Sequence, residues 1–196
     1  NVLPVNDIPI ANDMEESLNE DSSTLIILDG IDIDNNELDF TITDEPINGS
    51  FDINGSFLTY LPNEDYFGLD SLKYIVSDGQ DISNEANVLF NVIGINDAPE
   101  LPDFINISIL EDSFYSVELS ELDVDFDSLV YDIEVDENAS YDFSNNILNI
   151  YPNPNYFGNV QVSIDVTDGI INTFELFNIT VISVNDAPII TSTPIS

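Results

Sequence analysis

The sequence contains no cysteine and no histidine, and its only basic residue is Lys73. Without Cys and His, the usual ligands of zinc, haem and iron–sulfur clusters are missing, and neither a Ser–His nor a Cys–His catalytic pair can be assembled. Without Lys and Arg, almost nothing is present to bind nucleic-acid phosphates or an anionic membrane surface. No apolar run approaches the roughly 20 residues of a membrane-spanning helix.

Acidic residues are abundant instead, because 39 Asp and Glu give the 196 residues a formal charge of −38. Disordered acidic chains are poor in aromatic and β-branched residues, whereas this chain is 43% hydrophobic and 10% aromatic. The apolar runs at 24–28 and 174–181 indicate a buried core, so we expect a folded protein. The acidic, cysteine-free composition favours an extracellular location, either secreted or at a cell surface, without reliance on disulfides.

The most informative feature is a repeat of about 90 residues. The motif Asn-Asp-x-Pro occurs at 6–9, 96–99 and 185–188, so its copies start 90 and 89 residues apart. Four further segments recur in the same order: 19–21 with 110–112, 32–34 with 123–125, 58–68 with 148–158, and 77–79 with 167–169. This pattern predicts tandem domains. We assign 1–9 to the end of a preceding repeat and its linker, 10–97 to repeat 1, 98–186 to repeat 2, and 187–196 to the start of a following repeat.

Each repeat is predicted to be all-β. Apolar and polar residues alternate in segments such as 38–42, 72–76 and 160–166, as they do in half-buried strands. Asn54-Gly55 predicts a hairpin, because both central residues of a type I′ turn need a positive φ. About seven short strands per repeat are typical of an immunoglobulin-like Greek-key sandwich. The fold class is therefore predicted as two tandem sandwiches joined by the Asn-Asp-x-Pro linkers, where proline limits sheet pairing.

The recurring acidic residues fall at strand ends, and successive strand ends in a Greek-key sandwich alternate between its two poles. We therefore expect ligands from both repeats to meet at the central junction. The predicted ligands there are Glu20, Asp65, Asn96, Asp97, Asp123, Asp125 and Asp168. Those at the first junction are Asn6, Asp7, Asp32, Asp34 and Asp78.

Such crowded carboxylates need a counter-charge, because two unit charges ~4 Å apart repel by roughly 4 kcal/mol at an effective dielectric of 20. Lys73 can compensate only one of them. Ca²⁺ accepts six to eight oxygen ligands, whereas Mg²⁺ demands stricter octahedral geometry. Isolated Asp-Gly or Asn-Asp pairs are turn chemistry, but the joint recurrence of Asp-x-Asp, Glu-Asp and Asn-Asp-x-Pro favours calcium.

These motifs resemble those of the cadherin-like tandem-95 repeats of giant bacterial surface and secreted proteins. The resemblance lies in the Asn-Asp-Ala-Pro linkers, in Pro-Asn-Glu-Asp-Tyr-Phe-Gly at 62–68 and in Val-Ser-Asp-Gly at 76–79, and it covers essentially the whole chain. It implies a cadherin-type sandwich with Ca²⁺ clamped between successive repeats.

The resemblance also implies residue roles by position. Glu20 resembles the first-strand glutamate of cadherin repeats, 63–65 their Asp-Arg-Glu loop, 96–97 the linker ligands, 123–125 the Asp-x-Asp pair, and Asp168 the aspartate late in the sixth strand. The linker lacks the second Asn of the cadherin pattern, so fewer ions per junction are expected. Asn153-Pro154-Asn155 carries no carboxylate, so we expect a weaker site at the C-terminal junction. The first junction is only a half-site, because its upstream repeat is missing.

The leading hypothesis is a non-enzymatic, calcium-binding structural and adhesion module of a long extracellular array. Its expected partners are neighbouring repeats and either a second copy, a cell surface or a glycan, with no nucleic acid and no membrane insertion. One alternative is a carbohydrate-binding accessory module of a secreted enzyme, using the aromatic residues at 66–67 and 156–157, although we expect these to pack in the core and at corners. Another is a DNA-mimic inhibitor, which distributed charge would favour. A carboxylate pair for glycoside hydrolysis is disfavoured, because the acids recur at junctions and not in a cleft.

Overall fold

The chain divides into two units, Asn1–Ile95 and Asn96–Ser196, in a computed structural model that describes residues 5–34, 37–120 and 123–187. The boundary between them falls two residues before the one assigned from the repeat. Residues 1–4 of the predicted preceding segment and 188–196 of the predicted following one lie outside the described residues. The two units are described separately below as unit 1 and unit 2.

Unit 1 is built from two facing sheets and a short ribbon. Its strands are β1 (Ile10–Ala11), β2 (Met14–Asn19), β3 (Thr24–Ile27), β4 (Gly30–Ile31), β5 (Asp39–Asp44), β6 (Gly49–Asn54), β7 (Phe57–Pro62), β8 (Gly68–Ser77) and β9 (Ala86–Ile93). One sheet has the order β2-β9-β8-β5 and the other β3-β7-β6, while β1 and β4 form the ribbon. The β2–β9 pair is parallel, and the other pairs are antiparallel.

Unit 2 repeats the arrangement of two sheets. Its strands are β10 (Ser108–Leu110), β11 (Tyr115–Glu118), β12 (Val130–Val135), β13 (Ala139–Ser144), β14 (Ile147–Pro152), β15 (Gly158–Thr167) and β16 (Asn172–Ile182). The sheet orders are β10-β16-β15-β12 and β11-β14-β13, again with one parallel pair, β10 with β16. The predicted all-β fold, with about seven strands per sandwich, is confirmed. Over the described ranges, we find no helix long and apolar enough to cross a membrane.

The core of each sandwich follows from alternation along its longest strands. In β8, Leu72, Tyr74 and Val76 are fully buried while their neighbours face outward, and β15 buries every second residue from Val160 to Val166. Each such aliphatic or aromatic side chain contributes roughly 1.5–3 kcal/mol when it leaves water. This burial fixes the strand register, because a slip of one residue would turn the whole apolar set outward.

The predicted hairpin between β6 and β7 is present, but its turn lies one residue later than expected. Asn54 pairs with Phe57, so the central turn residues are Gly55 and Ser56. Gly55 has a φ of 61°, as the first position of a type II′ turn requires. The type I′ geometry expected here occurs in unit 2 instead, where the turn residues at 145–146 have φ values of 51° and 59°.

The antiparallel β8–β9 hairpin separates the two poles of unit 1. Strand β8 ends at Ser77 beside the beginning of β9, and β9 ends at Ile93, next to Glu20. Strands β15 and β16 do the same in unit 2, where Glu111 lies beside Ile182. We call the pole where the chain enters each unit the entry pole, and the pole where it leaves the exit pole.

Candidate metal centres

The entry pole of unit 2 gathers its linker and three aspartates. The Asn96 side-chain amide donates to Asp168 Oδ2 at 2.7 Å, and the Asp97 backbone amide donates to Asp125 Oδ2 at 2.8 Å. Asp168 lies directly after β15, whose end is fixed by pairing with β16. The linker residues are therefore held by hydrogen bonds to the sandwich that follows them.

The entry pole of unit 1 repeats these bonds. Asn6 Nδ2 donates to Asp78 Oδ2 at 2.8 Å, and the Asp7 amide donates to Asp34 Oδ2 at 2.7 Å. Asn6 Nδ2 also lies 2.9 Å from Asp81 Oδ2, an acid for which unit 2 has an isoleucine. Equivalent contacts in both units indicate that the recurring motif specifies a three-dimensional arrangement and not merely a turn.

The Asp-x-Asp loop contains a carboxylate oxygen that lacks a partner in both units. Asp123 is only 7% exposed; its Oδ1 accepts the amides of Asp125 and Asp127 at 3.0 and 3.1 Å. Its Oδ2 is buried and accepts no hydrogen bond. In unit 1, Asp32 Oδ1 accepts the Asp34 amide at 2.7 Å, and Asp32 Oδ2 is likewise buried without a partner. Burying an unpaired carboxylate oxygen is unfavourable, so a cation is the ligand that this loop fits.

Asp127 joins this loop, although the sequence analysis did not select it. One carboxylate oxygen from each of Asp123, Asp125 and Asp127 lies within 4.8 Å of the others. Asp123 and Asp127 also line a cavity of about 270 Å³. Asp127 could have been selected from the sequence as a third acid, four residues after Asp123. The aligned residue in repeat 1 is Asn36, which lies outside the described residues.

Two entry-pole aspartates have carboxyl pKa values below the ordinary range. For Asp168, the causes are the hydrogen bond from Asn96 and then the amides of residues 171 and 170, which favour the charged form. For Asp78, the amide of Asp81 is the largest cause, followed by the bond from Asn6. Both carboxylates are therefore charged over the pH range in which calcium is bound by proteins.

The exit pole is organised around a buried glutamate. Glu20 is only 4% exposed; its amide donates to the Ile93 carbonyl at 3.0 Å, and its carboxylate accepts the Ile95 amide. Beside it, the Asp65 amide donates to Asp21 Oδ1 at 3.2 Å. Asp21 and Asp65 both have positive φ values, of 54° and 56°, so two non-glycine residues adopt the left-handed region here.

The exit pole of unit 2 keeps this backbone arrangement but has fewer acids. The Glu111 carboxylate accepts the Val184 amide, and Asp112 Oδ1 accepts the Asn155 amide at 3.1 Å. Asn155 replaces the carboxylate of Asp65. The sequence-based expectation of a weaker site at the C-terminal junction stays a prediction, with this replacement as its physical reason.

All twelve predicted ligands lie within the described residues. Five are at the entry pole of unit 1, five are at the entry pole of unit 2, and Glu20 and Asp65 are at the exit pole of unit 1. Ion coordination by these residues stays a prediction. The single lysine pairs with Glu85 at 3.3 Å on β8, so neither entry pole has a basic side chain with which to balance its charge.

At the Tyr-Phe-Gly turns, the tyrosines pack against the cores, whereas the phenylalanines are exposed. The hydroxyls of Tyr66 and Tyr156 donate to the carbonyls of Leu69 and Asn159 at 2.7 and 2.8 Å, and both rings pack against the cores. The expectation of core and corner packing was wrong for the phenylalanines at 67 and 157, which are 53% and 65% exposed, because alternation turns them to the outer face.

Comparison with known proteins agrees with this architecture. Residues 6–91, which lie within unit 1, match the family model described as a bacterial Ig domain. No curated protein sequence matches the chain. Among solved structures, human protocadherin-24 EC1-2 is similar with 17% identity and a TM-score of 0.53, covering 93% of this chain and 100% of that one. Drosophila N-cadherin EC1-4 has 18% identity and a TM-score of 0.52, covering 92% and 50%.

An endo-fucoidan hydrolase from glycoside hydrolase family 107 also shares structure with the chain, at 17% identity and a TM-score of 0.42. The match covers 91% of this chain but only 29% of the hydrolase. The family model and the two cadherin structures establish a bacterial Ig-like and cadherin-like fold, which confirms the resemblance noted from the sequence.

Proposed function

We propose that these tandem bacterial Ig-like, cadherin-like domains are a calcium-binding structural and adhesion module of a long extracellular repeat array. Ca²⁺ binds where one repeat joins the next and stiffens the linker. The observation that carries the proposal is the buried, unpartnered oxygen of Asp32 and of Asp123, which occurs at the same position of both repeats.

The donor set fits a hard cation. The entry poles gather carboxylates and the side-chain amides of Asn6 and Asn96, and carboxylate and amide oxygens are ligands that Ca²⁺ takes in flexible geometry. Zinc and copper favour imidazole or thiolate ligands, and the chain has neither histidine nor cysteine. A bound divalent cation would relieve the mutual repulsion of these acids and satisfy the buried oxygens.

The linker would be stiffened because its residues are bound from both directions. Glu20 of unit 1 accepts the amide of Ile95, and Asp125 of unit 2 accepts the amide of Asp97. Residues 95 and 97 are only two positions apart, so their Cα atoms lie within about 7 Å of each other. Neutralising these carboxylates with an ion would keep both bonds in place, which supports a calcium-dependent restriction of the linker.

Isothermal calorimetry on the metal-free chain tests the binding step. We expect heat from Ca²⁺ with a dissociation constant of about 10⁻⁴–10⁻³ M, as in other extracellular modules, and a much weaker response to Mg²⁺. Absence of a calcium-specific heat, together with unchanged scattering profiles in EDTA and in Ca²⁺, would contradict the proposal.

Small-angle scattering on two matched variants tests the linker step. Asp97→Ala should broaden the distribution of molecular dimensions in Ca²⁺ more than Asp186→Ala, because repeat 2 has Asn155 where repeat 1 has Asp65. Equal responses of the two variants would refute this asymmetry while leaving calcium binding itself in place.

A further inference from the structure

An uncharged stretch of chain forms an exposed sheet edge in unit 1. Residues 22–28 read Ser-Ser-Thr-Leu-Ile-Ile-Leu and contain no charge, in a chain where one residue in five is Asp or Glu. Strand β3 lies within this stretch at one end of the order β3-β7-β6. A flat, apolar and uncharged edge is a template for pairing with another strand.

The register shows which backbone groups of this edge are available. The Leu28 amide donates to the Ser56 carbonyl on the β7 side at 2.8 Å. Because directly opposed residues alternate between bonded and non-bonded pairs in an antiparallel ladder, Ile26 is bonded to β7, whereas Leu25 and Ile27 direct their N–H and C=O groups away from it. These two residues can therefore bond to a strand added outside β3.

The side chains of the same two residues are exposed. Leu25 is 63% and Ile27 is 59% exposed, and they lie on the outer face together with Phe57 and Leu61 of β7, which are 51% and 44% exposed. Edge strands that avoid pairing usually carry charges or polar groups. The aligned edge of unit 2 follows that rule, since β11 carries Ser116 and Glu118 at the two positions.

We propose that β3 is a self-association edge, at which two copies of the chain pair antiparallel around a twofold axis centred on Ile26. Leu25 of one copy then lies opposite Ile27 of the other. The shared ladder ends before Asp29, whose carbonyl and Oδ2 already accept the backbone and side-chain amides of Asn12 at 3.1 and 2.9 Å, so the ladder places no like charges face to face. At the beginning of the strand, Glu16 accepts a hydrogen bond from Thr24 at 3.2 Å.

A second copy fits this edge better than a basic partner does. A Lys- and Arg-rich strand would gain most by pairing with acidic residues, and 22–28 has none. For a molecule of charge −38, an edge strand without charge lets a second copy approach with little local repulsion. Four side chains and a short ladder bury less than a standard interface of about 1,200–2,000 Å², so the contact is weak for one pair and is strengthened when many repeats align.

Disulfide trapping tests the edge and its register, since the chain has no natural cysteine. A mixture of Leu25→Cys and Ile27→Cys proteins should cross-link under mild oxidation at least about tenfold faster than Leu25→Cys alone, because residues 25 and 27 are opposed whereas two copies of residue 25 are offset. The control is a mixture of the Leu25→Cys and Leu69→Cys proteins, because Leu69 lies on β8 of the other sheet and is 63% exposed. Equal rates in all three reactions would overturn the proposal.

Sedimentation velocity between about 10 µM and 1 mM protein provides the equilibrium test. We expect a dimer that Ile27→Glu, which mimics Glu118 of unit 2, weakens at least about tenfold, while the charge-matched control Leu69→Glu has little effect. Experiments in high salt with EDTA distinguish this proposal from the calcium function, because screened β3 edges should still pair when no ion is bound. A wild-type chain that stays monomeric throughout, or an equal loss in both variants, would refute self-association through β3.

Discussion

The Asp123→Asn substitution should have opposite effects on stability with and without calcium. The asparagine keeps a side-chain oxygen that can accept the amides of Asp125 and Asp127, so the loop conformation is retained. The substitution removes the negative charge and replaces the oxygen that has no partner by an amide NH₂ group. We therefore expect the variant to melt at a higher temperature than wild type in EDTA and at a lower temperature in Ca²⁺.

The size of each effect can be worked from the loop. Removing Asp123 relieves its repulsion with two carboxylates whose oxygens lie within 4.8 Å. Each such pair is worth roughly 3 kcal/mol at a dielectric of 20 and near 1 kcal/mol in water. Because Asp127 is exposed, the lower value applies to each pair, and the two pairs together give an expected gain of about 2 kcal/mol in EDTA. In Ca²⁺ at about 100 times the dissociation constant, wild type gains about 2.7 kcal/mol per site, which the variant forfeits.

Calorimetric melts of both proteins in EDTA and in Ca²⁺ measure these effects. One kcal/mol corresponds to a shift of roughly 4–8 °C for a domain of 60–100 residues, so a crossing of the two melting temperatures is readily measured. Asp142→Asn is the matched control, since Asp142 is exposed on β13 and its removal changes the net charge equally. The cation-site reasoning fails if Asp123→Asn and Asp142→Asn shift the melts in parallel in both buffers.

Two further predictions concern interactions within single units. Because the pKa of Asp168 is lowered chiefly by Asn96, this carboxylate contributes stability above its ordinary pKa and loses it as the pH falls through the lowered value. In EDTA, Asn96→Ala should therefore reduce the stability at pH 7 and also reduce its loss on acidification, as urea unfolding against pH would show; an unchanged pH profile would contradict the assignment. Tyr60→Phe should destabilise unit 1 by about 1–2 kcal/mol, because the Tyr60 hydroxyl donates to buried Asp70 at 2.8 Å; urea unfolding that matches wild type would contradict that role.

The sandwich could be predicted from the sequence because its determinants are local and repeated. Alternation in 72–76 and 160–166 identified the strands that become β8 and β15, and the motif offset identified two units. The parallel pairing of β2 with β9 could not be read in this way, since the two strands are some 70 residues apart and neither signals its neighbour. The hairpin turn was misplaced by one residue because Asn54-Gly55 satisfies a type I′ turn locally, whereas cross-strand pairing placed Asn54 in the strand.

The candidate ligands were selected because they recur between the repeats, and this criterion also explains why Asp127 was not selected. Asp32 and Asp123 recur at the same repeat position, so the comparison of repeats selected both. Asp127 does not recur, because repeat 1 has Asn36 at that position. Its role depends on the loop bringing three side chains together, which no periodic pattern encodes.

Comparison of the two units also separates the acids that hold the fold from those at the poles. Buried Asp70 accepts the amides of residues 48 and 71 at 2.9 Å each. The aligned position in unit 2 is Val160, yet the aligned amides, at 138 and 161, are accepted by Asp136 at 2.9 and 2.8 Å. The carboxylate thus comes from strand β8 in unit 1 and from the loop between β12 and β13 in unit 2, while the hydrogen bonds that it accepts stay in place.

The comparison of Asp70 with Asp136 shows what is required of an acid that stabilises the fold by accepting backbone hydrogen bonds. A backbone amide needs an acceptor but does not specify which residue provides it, so Asp70 and Asp136 can occupy different positions in the sequence. The acids of the Asp-x-Asp loop have not exchanged in this way: Asp32 and Asp123 keep both their position and the oxygen that no amide satisfies. Hydrogen bonding accounts for one oxygen of each carboxylate and leaves the other unexplained. A cation accounts for both the fixed position and the unpaired oxygen, so the difference between the two classes of acid supports the proposal of calcium at the entry poles.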